Sequence, residues 1–287
     1  MDKAKILLQL DTDALPSVFD RVVAVDAGAD HVFAYGGVTA ENVRDLVHGC
    51  IFTRKELNRT AIFVGGADIA AGEAVLAAAR AAMLPQYGLQ VSILLDCNGA
   101  NTTAAAAVRA ADRHLNLADT PALVLGGTGP VGQRVARLLA RAGAHVRLGS
   151  RQRERAEAVC ENIRKQVSGA RVEAVATASS KDAPATLAGR GLVIAAGAAG
   201  VVLLPKKHRM TCPTLKVAID LNAVPPAGIE GVEATDAGVE RDGVICYGAL
   251  GVGGMKMKVH KAAVAKLFER NDQVMDAEAI YELAKQV

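Results

Sequence analysis

The stretch Ala122-Leu-Val-Leu-Gly-Gly-Thr-Gly-Pro-Val-Gly-Gln-Arg-Val-Ala-Arg-Leu-Leu-Ala140 places a glycine-rich turn between a strand-like run and a helix-like run. Its glycines have GxGxxG spacing: the first makes a tight turn, the second admits a pyrophosphate to the backbone, and the third lets helix and strand pack closely. Phosphates then lie at the helix N-terminus. A glycine loop without a ligand is the alternative, but the order strand, turn, helix favours a dinucleotide site. The predicted contacts are Gly127, Thr128, Gly129, Pro130, Val131 and Gly132.

The next predicted strand, Ala144–Leu148, leads into Gly149-Ser-Arg-Gln-Arg-Glu-Arg155. An NAD site usually carries Asp or Glu at this strand end, where it accepts from the ribose 2′-hydroxyl. Here the position is Ser150, and Arg151 and Arg155 follow, whose guanidinium groups suit a 2′-phosphate. The loop therefore favours NADP, with Ser150, Arg151 and Arg155 as predicted contacts. The open alternative is a solvated helix start in which Glu154 pairs with an arginine.

The composition restricts the class of protein. Hydrophobic residues make up 51% and aromatic residues 3%, with no Trp, so the core must consist of small aliphatic side chains, as in helix-covered parallel sheets. The near balance of 33 basic and 30 acidic residues argues against nucleic-acid binding. The five scattered cysteines predict buried thiols in the cytoplasm rather than disulfides or zinc. No metal site is readable, and no apolar run reaches membrane-spanning length.

Strands and helices alternate along the whole chain, which predicts an α/β fold with two lobes. An N-terminal parallel α/β substrate lobe is expected over residues 1–116, and a Rossmann NADP-binding domain over 117–256. C-terminal helices over 257–287 are expected to return to the first lobe. The predicted strands are Lys5–Leu10, His31–Tyr35, Thr60–Val64 and Gln90–Leu95 in the first lobe, and Arg171–Ala176, Gly191–Ala195, Lys216–Asp220 and Gly243–Cys246 after the glycine motif.

Three helix predictions are specific enough to be tested. The first helix should start at Pro16 and place Val18, Val22 and Val25 on one face. A second should be capped by Thr39 and extend through Val47. A later helix should cover Lys256–Arg270, so that Lys256 precedes or opens it.

Unusual loops follow six of the predicted strands. In open parallel sheets, ligands bind beyond the carboxyl ends of the strands, so these loops predict a cleft with substrate on one wall and NADP on the other. On the cofactor side they add Ala196, Gly197 and Asn222, although Asn222 could instead cap its strand end. On the substrate side, Asp11 and Asp13 are either substrate contacts or helix caps. The loops are Asp11–Asp13, Gly65–Asp68, Asp96–Thr102, Ala196–Gly200, Asp220–Gly228 and Gly248–Gly254.

With these loops in view, the chain resembles the NADP-dependent methylene-tetrahydromethanopterin dehydrogenases of methylotrophic bacteria, whose members also use methylene-tetrahydrofolate. The likeness covers essentially the whole chain, and outside the glycine motif its stretches are specific. The Ser150–Arg155 loop departs from the family pattern by carrying more arginines. The stretches that carry the resemblance are Gln9–Asp20, Ala61–Gly66, Asp96–Ala104, Gly126–Gly132, Asn222–Gly228 and Gly248–Lys258.

The resemblance implies a homotrimer with an interdomain cleft. It also implies oxidation of a methylene carbon between two pterin-carrier nitrogens to a methenyl cation, with hydride passing to NADP. That chemistry needs proximity and orientation rather than a proton-abstracting triad or a metal. The resemblance makes Asp96, Asn98 and Thr102 expected contacts of the pterin, although a turn could also use them. It makes Lys256 the expected polar anchor near the pterin, not a base.

Two other classes of function stay open at this point. An NADP-dependent shikimate-type hydroxy-acid dehydrogenase would also pair an α/β lobe with a Rossmann lobe, but the expected Ser-x-Ser and Lys-Thr features are missing. A non-catalytic NADP-sensing module would need no polar substrate wall, so the loops at Asp11 and Asp96 argue against it.

Overall fold

The computed structural model describes residues 3–178 and 183–287. The chain divides into two compact units, one formed by Met1–Thr102 with Met257–Val287 and one by Thr103–Lys256. Residues 257–287, which were expected to return to the first lobe, are grouped with the first unit. The first junction lies at Thr102, inside helix α4 (Ala100–Asp112), and not after residue 116. The second junction falls inside helix α9 (Ala249–Lys266).

The first unit is built on a five-stranded sheet in the order β12-β4-β3-β1-β2, with every pairing parallel. The order reverses between β1 and β3, so ligands are expected beyond the carboxyl ends of these two strands. The strands and helices that lie wholly in the first unit are β1 (Ile6–Asp11), α1 (Val18–Asp26), β2 (His31–Tyr35), α2 (Val43–Phe52), β3 (Thr60–Gly65), α3 (Ile69–Ala82), β4 (Ser92–Leu95), β12 (Val274–Met275) and α10 (Ala277–Ala284).

Alternation along the strands decides which side chains form the core of the first unit. Leu8 and Leu10 of β1 share one sheet face with Ile62 and Val64 of β3, and all four pack with the buried residues of α2 and α3. The opposite face carries Phe63, whose ring stacks on that of His260 with centroids 5.7 Å apart. The strands β1, β3 and β4 are thus buried on both faces, as their near-continuous apolar sequences predict, whereas the edge strand β2 exposes alternate residues.

The second unit has a seven-stranded sheet in the order β10-β11-β9-β8-β5-β6-β7, parallel except for β10. Without β10 this is the doubly wound order of a Rossmann domain, which confirms the predicted fold class. The elements are β5 (Pro121–Leu125), α5 (Pro130–Arg141), β6 (His145–Ser150), α6 (Arg153–Gln166), β7 (Arg171–Ala176), α7 (Ala183–Leu187), β8 (Leu192–Ala195), α8 (Lys206–Arg209), β9 (Val217–Asp220), β10 (Ala237–Arg241) and β11 (Val244–Tyr247).

The glycine-rich stretch before Lys256 is helical, contrary to the sequence prediction. Helix α9 begins at Ala249, so Lys256 lies well inside it. A side chain at Gly248 or Gly251 would overlap the backbone of the segment 233–237, and only glycine permits this close approach. Tertiary packing here outweighs the low helix propensity of glycine.

Two helices of the first unit also differ from expectation. Helix α1 does place Val18, Val22 and Val25 on one face, but that face is exposed, and the buried residues are Val23 and Ala24. Helix α2 begins at Val43 and extends to Phe52, because the Asn42 carboxamide accepts from the Thr39 N–H and closes a turn ahead of the helix.

Candidate cofactor and substrate sites

The glycine motif forms the turn between β5 and α5. Gly129 is the N-cap of α5 and Pro130 is its first residue, so the first free N–H groups of the helix belong to Val131 and Gly132. A Cβ at Gly132 would lie 2.5 Å from the Gly126 carbonyl oxygen, and one at Gly127 would lie 2.5 Å from Leu148. The turn is held from outside by the Gln133 carboxamide, which donates to the Thr128 carbonyl at 2.7 Å. The motif therefore forms a closely packed turn with no room for a side chain at Gly127 or Gly132.

The point where the strand order reverses, between β5 and β8, is formed by two loops whose backbones touch. Gly126 has φ +68°, and a Cβ there would overlap Gly197 and come within 2.9 Å of the carbonyl carbon of Ala196. Gly126 must therefore be glycine for the two loops to meet, whereas a Cβ at Gly197 would overlap the Leu203 side chain. Sequence reasoning placed Gly197 in the cofactor loop but missed Gly126, whose role depends on a neighbour about seventy residues away in the chain.

A cavity of about 760 Å³ opens beside this turn. Eight of the predicted cofactor contacts line it: Thr128, Gly129, Pro130, Ser150, Arg151, Arg155, Ala196 and Gly197. Gly127, Val131, Gly132 and Asn222 do not line it. Gln152 and Ala198 lie in loops that the sequence singled out, whereas Thr177, Val201 and Leu203 lie in segments without a motif. Sequence reasoning missed six of the wall residues: Gly126, Gln152, Thr177, Ala198, Val201 and Leu203.

The residues after β6 give the cavity its charge. Ser150 is buried, and its hydroxyl accepts from the Gln152 N–H at 3.3 Å, which shapes the turn into α6. Arg151 and Arg155 are both exposed and both line the cavity. Among the residues that the structure describes, no carboxylate lines it. Two guanidinium groups without a carboxylate beside them suit a doubly charged phosphate better than a ribose hydroxyl.

The loop after β9 is closed on itself. The Asn222 carboxamide accepts from the Val224 N–H at 3.0 Å and donates to the Pro226 carbonyl at 3.2 Å. Its polar atoms are therefore engaged within its own loop, which is the capping role left open by the sequence. Asp220, at the end of β9, is buried and accepts from the backbone of the same loop.

In the first unit, the reversal point between β1 and β3 also brings two loops together. The Thr12 N–H donates to the Gly65 carbonyl at 3.2 Å, and the Ala67 N–H donates to the Asp13 carboxylate at 3.0 Å. Gly66 has φ +115°, and a side chain there would overlap Thr12. Asp13 is exposed at this edge and still offers a carboxylate oxygen to a ligand.

Asp11 and Asp96 are buried and hold backbone at this edge. The Asp11 carboxylate accepts from the N–H groups of Asp13 and Ser17, each at 3.0 Å, and from Gln9. The Asp96 carboxylate accepts from the Asn101 and Thr102 N–H groups and, at 2.6 Å, from the Thr102 hydroxyl. Both aspartates and Thr102 thus order the loops on which Asp13 and Asn98 are displayed.

Asn98 differs from these neighbours. It is exposed, has φ +53°, and donates its N–H to the Gly66 carbonyl at 2.8 Å. Non-glycine residues rarely adopt this conformation, and those that do concentrate at functional sites. Asp13, Gly66 and Asn98 therefore meet at the reversal point of the first sheet.

Among the described residues, no group of three or more metal-ligating side chains is brought together. Over the same residues, no helix has both the length and the hydropathy needed to span a bilayer. Lys256 is half-buried on α9, one turn after Gly253.

A family model described as methylene-tetrahydromethanopterin dehydrogenase, N-terminal, matches residues 18–98. A second, described as NADP oxidoreductase, coenzyme F420-dependent, matches residues 122–180. A relative from Methylorubrum extorquens named bifunctional protein MdtA is 46% identical over 287 residues, covering 99% of each chain. The chain belongs to the methylene-tetrahydromethanopterin dehydrogenase family. The resemblance seen in the sequence is thereby confirmed.

A further member of this dehydrogenase family in the same organism, named NAD(P)-dependent methylenetetrahydromethanopterin dehydrogenase, is 30% identical and covers 94% of each chain. Among solved structures, shikimate 5-dehydrogenase from Listeria monocytogenes has a TM-score of 0.59 at 13% identity, with 98% of this chain and 96% of that one covered. At that identity the likeness shows the shared fold alone and lends no support to the hydroxy-acid alternative.

Proposed function

We propose that this chain is an NADP-dependent dehydrogenase that oxidises the methylene carbon of methylene-tetrahydromethanopterin to the methenyl form, with methylene-tetrahydrofolate as a second carrier. The observation that carries the proposal is the cavity at the β5–α5 turn, which two arginines and, over the described residues, no carboxylate line, in a chain of this family. The NADP-binding residues are the predicted set, except that Gly127 and Gly132 act through packing and Asn222 acts by ordering its own loop.

The fit of the cofactor rests on the turn itself. Gly127 and Gly132 have no room for a side chain, so the turn packs closely, and Gly129 lines the cavity. In such domains a pyrophosphate lies at the helix N-terminus, where the N–H groups of Val131 and Gly132 have no partner within the helix. Arg151 and Arg155 hold the 2′-phosphate. Bound NADP supplies the carbon that accepts the hydride.

The reaction breaks one C–H bond, and the electron pair leaves with the hydrogen as hydride. The carrier becomes a cation shared by the two nitrogens that flank the carbon, so no proton leaves the substrate. The chain's task is therefore to bind and orient, and to hold charges that tolerate a developing cation. Asp13 supplies such a charge in the first unit.

Asn98 and Asp13 contact the carrier, and Asp11, Asp96 and Thr102 hold the loops that present them. Lys256 anchors a polar group of the carrier from α9. We further propose that the enzyme is cytoplasmic and assembles as a homotrimer, as the sequence resemblance implies.

The direct test is spectrophotometric. Purified protein is mixed with methylene-tetrahydromethanopterin or methylene-tetrahydrofolate, each made from the reduced carrier and formaldehyde, and with NADP or NAD in parallel. Carrier-dependent formation of NADPH and of methenyl absorbance, faster with NADP, supports the proposal and ranks the carriers. Binding of NADPH without turnover on either carrier contradicts it and favours a sensing role.

A further inference from the structure

A buried carboxylate ties down the loop that follows β9. Asp220 is 1% exposed, and its carboxylate accepts from the Asn222 N–H at 3.0 Å and from the Ile229 N–H at 2.9 Å. The Gly228 N–H is a third donor to the same carboxylate. Because these donors belong to both ends of the loop 221–229, one side chain closes it.

The closed loop is in turn bonded to a wall of the cofactor cavity. The Gly228 carbonyl accepts from the N–H groups of Leu203 and Leu204, at 2.8 and 2.9 Å. The Glu230 N–H donates back to the Leu204 carbonyl at 3.0 Å. Leu203, together with Val201 and the backbone from Ala196, lines the 760 Å³ cavity. The hydrogen bonds thus run from Asp220 through Gly228 to the segment 196–204.

The arrangement has little room for adjustment. A Cβ at Gly228 would lie 2.9 Å from the Asp220 carboxylate oxygen and 3.5 Å from the Ala195 side chain. The Leu221 N–H also donates to the Ala195 carbonyl at 2.9 Å, at the start of the cavity wall. A shift of the loop is therefore passed to the wall by direct contact.

The stability of the fold does not by itself explain why an ionisable carboxyl group occupies position 220. Burial is the main influence on the Asp220 carboxyl and raises its pKa, and the opposing influences are N–H groups of Ile229, Asn222 and Gly228, with no charged side chain among them. A raised folded-state pKa means that ionisation lowers the stability of the fold as pH rises through that range. Asp236 in the same unit is the opposite case, because the Arg241 guanidinium lowers its pKa.

We propose that Asp220 is a positioning residue for the cofactor: its carboxylate fixes the loop 221–229, and through it the cavity wall 196–204. The inference rests on the proposed function only in taking this cavity as the NADP site. It assigns a role to a residue that does not itself line the cavity. The role of the carboxylate is to order a wall of the binding site.

The test is NADPH binding by Asp220→Asn and by the wild type, measured by fluorescence titration at pH 8 and at lower pH values. At pH 8 we expect the Kd to rise about tenfold, because the amide cannot accept from three N–H groups. Protonation of Asp220 at lower pH should weaken NADPH binding by the wild type, so the ratio of the two Kd values should decrease as pH falls. The 2′-phosphate of NADPH titrates equally in both titrations and cancels in that ratio.

Asp236→Asn is the matched control, since it also removes a buried, hydrogen-bonded carboxylate from the second unit. It should lower the melting temperature at pH 8 and leave the Kd for NADPH unchanged, whereas Asp220→Asn should change the Kd without a comparable loss of melting temperature. An unchanged Kd for Asp220→Asn at every pH, with a lowered melting temperature, would overturn the proposal.

Gly228→Ala provides a second variant if Asp220→Asn does not fold. It keeps the carboxylate and displaces the loop, and should weaken NADPH binding by a similar factor; wild-type affinity would count against the proposal. Every readout is binding of NADPH, so absence of turnover with the pterin carriers would refute the proposed reaction without affecting this test.

Discussion

Both sheets have a point at which the strand order reverses, but backbone contacts form it in the second unit and side-chain hydrogen bonds form it in the first. In the second unit, between β5 and β8, glycines let backbone meet backbone at the turn that leads into α5. In the first unit, between β1 and β3, carboxylates of Asp11 and Asp13 hold the loops through side-chain hydrogen bonds. One site is made of main chain and the other of side chains, which is how a common phosphate site and a particular substrate site are expected to differ.

The largest effect should follow from filling the backbone-built site. Gly132→Ala places a Cβ 2.5 Å from the Gly126 carbonyl oxygen, so the turn must distort at a cost of about 3 kcal/mol. If this cost weakens NADPH binding in full, the affinity for NADPH falls roughly a hundredfold. Calorimetric titration with NADPH measures it. Gly49→Ala in α2, where a Cβ meets nothing within 4 Å, should keep wild-type affinity. Equal affinity for NADPH in both variants would show that close packing of the turn is not needed for NADPH binding.

Lys256→Ala should reduce kcat/KM for the carrier by about thirtyfold, since a charged hydrogen bond contributes about 2 kcal/mol. Affinity for NADPH should not change. Lys258→Ala, an exposed lysine on the same helix, is the control and should behave as wild type. If the two lysine variants were kinetically alike, Lys256 would be an ordinary helix residue and not a contact of the carrier.

Arg151→Ala tests the charge at the rim of the cofactor cavity. The KM for NADP should rise about tenfold and the KM for NAD should change little, because only NADP carries the 2′-phosphate. Arg153→Ala is the control, as Arg153 is exposed on the same turn but does not line the cavity. A parallel rise for both cofactors would remove the 2′-phosphate assignment.

The smallest expected effect on kcat/KM concerns Asn98, which is displayed at the reversal point of the first sheet. Asn98→Gly relieves the φ of +53° and removes only the carboxamide. If the carboxamide contacts the carrier, kcat/KM should fall about fivefold, the value of one neutral hydrogen bond of about 1 kcal/mol. A glycine variant that matches or exceeds the wild type would reduce Asn98 to a turn residue. The melting temperature, expected to stay level or rise, shows that the loop still folds.

The turn of the second unit could be predicted from the sequence, and the roles of the side chains in the first unit could not. Gly127, Gly129 and Gly132 stand between a strand-like run and a helix-like run, so their position in the chain implies their position in space. Asp11 and Asp96 stand at strand ends, where an acid is equally suited to bind a ligand or to hold a loop. Their burial decides for the loop, and burial is not encoded in any local pattern.

Contacts between residues far apart in the chain explain the other features that the sequence did not predict. Gly126 must be glycine because Gly197 lies against it. Helix α9 begins in a glycine-rich stretch because the segment 233–237 packs closely against Gly248 and Gly251. Neither relation has a signal within a short window of sequence. The exposed face of α1 shows the same limit, since an apolar stripe predicts a helix face but not what covers it.

The central claim is direct hydride transfer from the methylene carbon, and isotope labelling tests it most directly. The carrier is loaded with dideuterated formaldehyde and oxidised with NADP in ordinary water, and the NADPH is analysed by mass spectrometry. We predict one deuterium per NADPH formed, and none when unlabelled carrier reacts in deuterated water. NADPH without deuterium in the first experiment, or with solvent deuterium in the second, would contradict the mechanism.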